Sequence, residues 1–255
     1  LTEQTELMLK DWQQPERLLS RLVDLLEYYA DHLYQPAEQI RTTPGLPIYR
    51  VPPIVLRNLE RSFSRTAAQQ PQAGLDLSEI LWQHGYSESL LLSAAILGGL
   101  PGPYHQLVIQ RIFGWANMDL PASLVTRLIE LATRQVRQHS LSDLLTKLSE
   151  GLNSDKPGLV QFSFLVLQPL IEDPKFENLP FVYRVITPFV QQPPADFLPE
   201  LVDLLGSLAT RSPAETTYFL RKLITPSSNQ ECLRLLRRAL PSLPEAGRAS
   251  LFLLL

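Results

Sequence analysis

Pro121-Ala-Ser-Leu-Val-Thr-Arg-Leu-Ile-Glu-Leu-Ala-Thr-Arg-Gln-Val136 is the stretch on which the reading of the fold turns. Its apolar residues Leu124, Val125, Leu128, Ile129, Ala132 and Val136 recur at i, i+4 and i+8, which lines them along one broad face of an α-helix. Pro121 opens this helix at no cost, because the N–H that proline lacks has no partner in a first helical turn. Phe197, Leu198, Leu201, Val202, Leu205 and Leu208 repeat the pattern farther along. Both stripes are wide enough to need a neighbouring helix.

Working outward, most of the 22 prolines punctuate apolar-periodic stretches instead of forming low-complexity tracts. The punctuation predicts helices beginning near Pro15, Pro53, Leu75, Ser87, Pro103, Pro121, Leu141, Pro157, Leu179, Asp196, Pro213, Ser228 and Pro244, each ~12–20 residues long. Almost nothing reads as strand. A helix pair with its turns spans ~35–40 residues, the period of HEAT-type hairpins. The expected fold is therefore all-α, a right-handed superhelical stack of antiparallel helix pairs, in which each unit touches only its neighbours. The repeat is one of pattern, since no consensus recurs.

Thr42-Thr-Pro-Gly-Leu-Pro-Ile-Tyr-Arg-Val-Pro-Pro53 interrupts this regime, because its four prolines favour extended geometry. It divides the chain into an N-terminal helical arm, 1–41, with a helix from Glu16 to Tyr34, a Pro-rich connector, 42–52, and one continuous run of HEAT-like repeats, 53–255. The connector reads either as a surface link or as a lid or peptide-like docking segment. The apolar end Ser250-Leu-Phe-Leu-Leu-Leu255 and the start without Met suggest a chain that continues, or an end that a partner covers.

Composition narrows the function classes. Hydrophobic residues at 45% against 19% charged exclude global disorder. The apolar runs Leu90 to Leu100 and Leu159 to Ile171 fall short of the ~20 residues of a bilayer span, so no membrane association is expected. A single cysteine, Cys232, allows neither an internal disulfide nor a Cys-based zinc site and fits a reducing cytoplasm. A net charge of −3 argues against a broadly basic nucleic-acid binder.

No GxxxxGK[ST], GxGxxG, HExxH or GxSxG occurs, so phosphate-cradling loops, zinc hydrolysis and nucleophile elbows have no basis in the sequence. His32, His84, His105 and His139 lack metal-ligand spacing and read as surface or helix-end residues. No metal or cofactor is expected. Phe162, Phe164, Phe176, Phe181 and Phe189 read as core.

The cations are more pointed, at 18 Arg to 5 Lys. Arg57, Arg61 and Arg65 fall at i, i+4 and i+8 on one helix face, with Arg50 just before them and Glu60 expected to point elsewhere. Like charges at this spacing repel by a few tenths of a kcal/mol per pair, which calls for an acceptor. Arg127, Arg134 and Arg137, with Glu130 interleaved, form a second group. Arg234, Arg237 and Arg238, preceded by Arg221 and Lys222, form a third. Such stripes serve either as solvated faces paired with neighbouring carboxylates or as a surface for phosphates or an acidic partner.

Leu75-Asp-Leu-Ser-Glu-Ile-Leu-Trp-Gln-His-Gly-Tyr-Ser-Glu-Ser-Leu-Leu-Leu-Ser-Ala-Ala-Ile-Leu97 resembles the HEAT-like DNA alkylation-repair family, the alkylpurine glycosylases, in which Leu-Trp ends one helix and a Glu opens the next. Trp115-Ala-Asn-Met-Asp119 looks like that family's Trp-x-x-x-Asp, and Ser212-Pro-Ala-Glu-Thr-Thr-Tyr-Phe-Leu-Arg221 is similar to its C-terminal repeats. Across about 75–240, the resemblance implies a concave basic groove for duplex DNA. It also implies Trp115 beside the lesion and Asp119 stabilising the charge that develops as the glycosidic bond breaks. The family's Arg-bearing segment is replaced here by Asn153-Ser-Asp-Lys-Pro-Gly-Leu-Val-Gln161, where Lys156 alone is basic. Asp119 reads equally as a helix cap before Pro121.

The sequence thus points to a non-catalytic interaction module. Its concave face would present Arg57, Arg61, Arg65, Arg127, Arg134, Arg234 and Arg238 to a macromolecular partner, protein or nucleic acid. The alternative is a recogniser of alkylated DNA with Trp115 and Asp119 at its site, and a third is a segment of a larger scaffold. Arginines consumed in carboxylate pairs weigh against the first reading. A buried Trp115 weighs against the second.

Overall fold

Helix after helix opens on proline, as the punctuation predicts, and the helices then pack through the apolar stripes between the prolines. The computed structural model describes residues 1–30, 46–118, 120–224 and 230–252. Among these residues there are fifteen α-helices, four single 3-10 turns and no strand. The chain forms two compact units, Leu1–Lys147 and Leu148–Leu255. No helix among the described residues is long and apolar enough to cross a membrane.

The first unit contains α1 (Thr2–Leu9), α2 (Pro15–Tyr28), α3 (Pro53–Gln69), α4 (Pro71–His84), α5 (Ser87–Leu97), α6 (His105–Gly114), α7 (Ala122–Ala132), α8 (Arg134–His139) and the start of α9 (Leu141–Leu152). At its centre is α5, buried at every position, and α3, α4 and α7 pack against it. Seven of its eleven residues are apolar, and its polar ones, Ser87, Glu88, Ser89 and Ser93, are buried with them, so no face is left to solvent. The N-terminal helices belong to the same body: α1 packs on α3, α2 packs on α4, and the Trp12 indole donates to the Gln70 carbonyl.

Two glycines set how closely this core closes. A Cβ on Gly98 would strike the Leu131 carbonyl oxygen on α7, and one on Gly99 would strike the Ser64 carbonyl oxygen on α3. The Gly98-Gly99 pair therefore lets the end of α5 touch both helices at once.

The second unit contains α10 (Pro157–Glu172), α11 (Leu179–Gln191), α12 (Leu198–Arg211), α13 (Pro213–Leu223), α14 (Gln230–Ala239) and α15 (Glu245–Phe252). Here α12 is central, packing on α10, α13 and α14. Phe164 meets Phe189 edge to face at 5.0 Å, and Phe162, Phe176 and Phe181 are buried as expected.

The structure changes several local expectations. The helix expected from Leu75 begins at Pro71, and α1 has no proline to announce it. The helix expected through Val136 breaks at Thr133, whose buried hydroxyl donates to the Ile129 carbonyl at 2.7 Å. The same carbonyl also accepts the Thr133 N–H at 2.9 Å, and Thr133 separates α7 from α8. The predicted helix to Tyr34 is described as far as Tyr28. Residues 42–45, the helix start near Ser228 and the end Leu253-Leu-Leu255 lie outside the described residues.

Candidate functional site

The arginine stripe of α3 and the arginines of α7 and α8 lie across one cleft of about 300 Å³, lined also by Ser64, Ala95 and Leu131. Arg57, Arg61, Arg127, Arg134 and Arg137 line it together with Glu60 and Glu130. Residues 67 positions apart in sequence thus become neighbours. The Gly98-Gly99 contacts make this possible, since they touch α3 at Ser64 and α7 at Leu131, both in the cleft wall.

Glu60 does not point elsewhere. Its carboxylate is buried, and Arg127 Nη2 donates to it at 3.0 Å. On a helix, position 60 lies only about 60° round the axis from position 57, so a partner reaching in from α7 captures it. Burial raises the Glu60 carboxyl above its ordinary value, against the lowering pull of Arg127, Arg57 and Arg61. Desolvation therefore outweighs the cations here. Arg127 Nη1 also bonds Glu130 at 3.0 Å, a half-exposed i,i+3 pair of small worth.

The other cations are placed differently. Arg57 Nε donates to the Pro53 carbonyl, which leaves its terminal nitrogens available. Arg61 and Arg134 are exposed and have no carboxylate within 4.0 Å among the described residues. Arg137 donates to the Glu130 carbonyl at 3.4 Å. Arg65 continues the α3 stripe without lining the cleft. Arg234 and Arg238 belong to the second unit, where Arg234 is paired with Glu231 at 2.7 Å and Arg238 is exposed. The cleft therefore gathers four of the seven expected contact residues and adds Arg137, Glu60 and Glu130.

A second polar constellation holds the described part of the connector. Glu88, in the first turn of α5 and 4% exposed, accepts from three successive backbone N–H groups: Tyr49 at 3.1 Å, Arg50 at 2.9 Å and Val51 at 3.5 Å. Ser87 N–H bonds the Pro47 carbonyl, and the Tyr49 ring stacks on Tyr86 at 4.3 Å. Arg50 adopts φ +63°, the left-handed geometry that turns its N–H toward Glu88. Burial of the Tyr49 phenol, followed by Tyr86 and nearby carboxylates, pushes it up to about 12. The extended reading of residues 46–52 is thereby explained as a strap pinned by one carboxylate.

Trp115 is 8% exposed and stacks on Trp82 with ring centroids 4.5 Å apart and planes 6° from parallel. A small cavity of about 180 Å³ adjoins the pair, where Arg111 donates to Ser78 Oγ at 2.8 Å and pairs with Glu79 at 3.3 Å. Asp119 lies outside the described residues. Among the histidines, His105 departs from a surface role. It is buried between Ser140 Oγ at 2.7 Å and the Leu100 carbonyl at 3.1 Å, so both ring nitrogens have partners in the core. His84 sits at the end of α4 beside Tyr86, His139 is exposed, and His32 lies outside the described residues.

Sequence reasoning named the cations of the cleft but not the carboxylate beneath them. No local signal marks Glu60, because its partner Arg127 is distant in the chain. No group of three or more His, Cys, Asp or Glu side chains able to hold a metal ion occurs among the described residues. Compared with protein-family models, curated proteins and solved structures, the chain matches none.

Proposed function

We propose that this chain is a helical-repeat interaction module that binds an acidic segment of a partner protein at the arginine cleft of its first unit. One observation carries the reading: five guanidinium groups meet two carboxylates there, a local positive excess on a chain of net charge −3. Opposite charge on the partner relieves that excess and steers the encounter. Packing of α5 on its sequence neighbours α3, α4 and α7 supports a HEAT-like stack of helices within this unit.

The alkylation-repair reading draws less support, because Trp115 spends its face on Trp82 and offers little to a flipped base. Fluorescence anisotropy separates the two. An Asp/Glu-rich peptide binds in a salt-sensitive manner, and the Arg57→Ala/Arg61→Ala/Arg134→Ala variant loses roughly tenfold or more in affinity, the equivalent of about 1.4 kcal/mol. Binding unchanged by the triple substitution refutes the cleft. Selective binding of alkylated over plain duplex DNA, lost in Trp115→Phe, transfers the function to the repair class.

A further inference from the structure

The cleft also specifies how much charge its occupant brings. Arg127 is already bracketed by Glu60 and Glu130 at 3.0 Å each, so its charge is answered within the protein. Arg57, Arg61 and Arg134 make no ion pair among the described residues, yet all three line the same cleft. A single carboxylate leaves most of that charge unmatched and offers two oxygens to three guanidinium forks. A phosphomonoester carries about −1.5 to −2 at neutral pH and three strong acceptor oxygens, one for each fork.

Residue type and size agree. The cations in the cleft are all arginine, whose planar fork suits bidentate phosphate contacts, and none is lysine. The volume of about 300 Å³ lies at the small end of ligand sites, which run from ~300 Å³ upward, so it admits one side-chain head group. Ile54, 64% exposed, sits on the same α3 face as Arg57 and Arg61 by the i, i+3, i+7 rule. It offers an apolar foothold beside the anion site.

Resting on the acidic-segment reading above, we infer that the cleft is a phosphoresidue-binding site. It takes the phosphoryl group of a phosphorylated serine or threonine in the partner segment on Arg57, Arg61 and Arg134, and Ile54 contacts an apolar neighbour of that residue.

The test uses the full chain and three labelled peptide libraries that differ only at one fixed position, phosphoserine, Glu or Ser, each with a nearby fixed Leu. The phosphoserine library binds roughly tenfold or more tighter than the Glu library, the worth of an added charge-assisted contact. Arg61→Ala and Arg134→Ala each abolish most of that preference. Glu60→Gln, which removes one carboxylate from beneath Arg127 and adds net positive charge, tightens phosphoserine binding several-fold, an effect a merely structural Glu60 would not give. Equal binding of the phosphoserine and Glu libraries overturns the phosphoryl assignment and leaves the acidic-segment function standing. No binding of either overturns both. Inorganic phosphate competing at the affinity of the peptide itself, or duplex DNA displacing it at equal phosphate concentration, also overturns the assignment.

Discussion

Replacing Glu88 by Ala removes the single carboxylate that holds the strap to the first unit. The Tyr49 and Arg50 bonds, at 3.1 and 2.9 Å, are well formed, whereas Val51 at 3.5 Å is at the limit and contributes little. Charge-assisted hydrogen bonds of this kind are worth about 1.5–3 kcal/mol each when buried, so the two good ones amount to about 3–6 kcal/mol. Release of the left-handed Arg50 returns about 1–2 kcal/mol. The net loss is about 1–5 kcal/mol, which at roughly 3 °C per kcal/mol lowers the melting temperature of a body this size by about 3–15 °C. Glu88→Gln keeps one acceptor oxygen and falls between the two. Thermal melts give the order Glu, Gln, Ala, and hydrogen exchange at Tyr49, Arg50 and Val51 shows whether the strap itself has opened. An Ala variant that melts within about 1 °C of the parent, with these amides still protected, would refute the clamp.

The remaining predictions concern packing and protons. Gly98→Ala drives a methyl into the Leu131 carbonyl and Gly99→Ala drives one into Ser64, so each costs about 2–4 kcal/mol in denaturant melts, within the overpacking range or slightly above it. Loss of the cleft's anion affinity alongside stability is expected, because both contacts lie in its walls. Trp115→Ala removes a buried stacked indole and costs about 3–5 kcal/mol, and a loss under 1 kcal/mol would argue for a free, ligand-facing ring.

Burial lowers His84 and His105 below the ordinary imidazole value of 6.5. The unfolded chain takes up these protons first, so the stability they contribute is present above 6.5 and lost as pH falls through the lowered values. His105→Gln flattens that decline in melts recorded from neutral to mildly acidic pH. Glu60 runs the other way. Its raised value means the folded chain holds the proton longer, so its favourable contribution is present at acidic pH and lost as pH rises through that value. Glu60→Gln therefore leaves stability at neutral pH unchanged or higher.

Much of the helical map was legible because its signals are local. Pro15, Pro53, Pro157 and Pro213 mark helix starts through their own missing N–H, and the Leu124 to Ala132 stripe shows its period within eleven residues. Arg57, Arg61 and Arg65 declare a shared face by spacing alone. The break at Thr133 was hidden, since the apolar stripe runs on through it to the buried Val136.

The sequence by itself thus determined the all-helical character, most helix starts and which side chains share a helix face, because 3.6-residue periodicity and proline stereochemistry act within a few residues. Only the tertiary structure decided that the α3 arginines face those of α7 and α8, that Glu60 lies beneath them, and that Glu88 captures the strap. The hydrogen-bonded pairings among these join residues 37 to 67 positions apart. The geometry of the cleft follows from how closely Gly98 and Gly99 let three helices approach, a property of packed surfaces that no local pattern encodes.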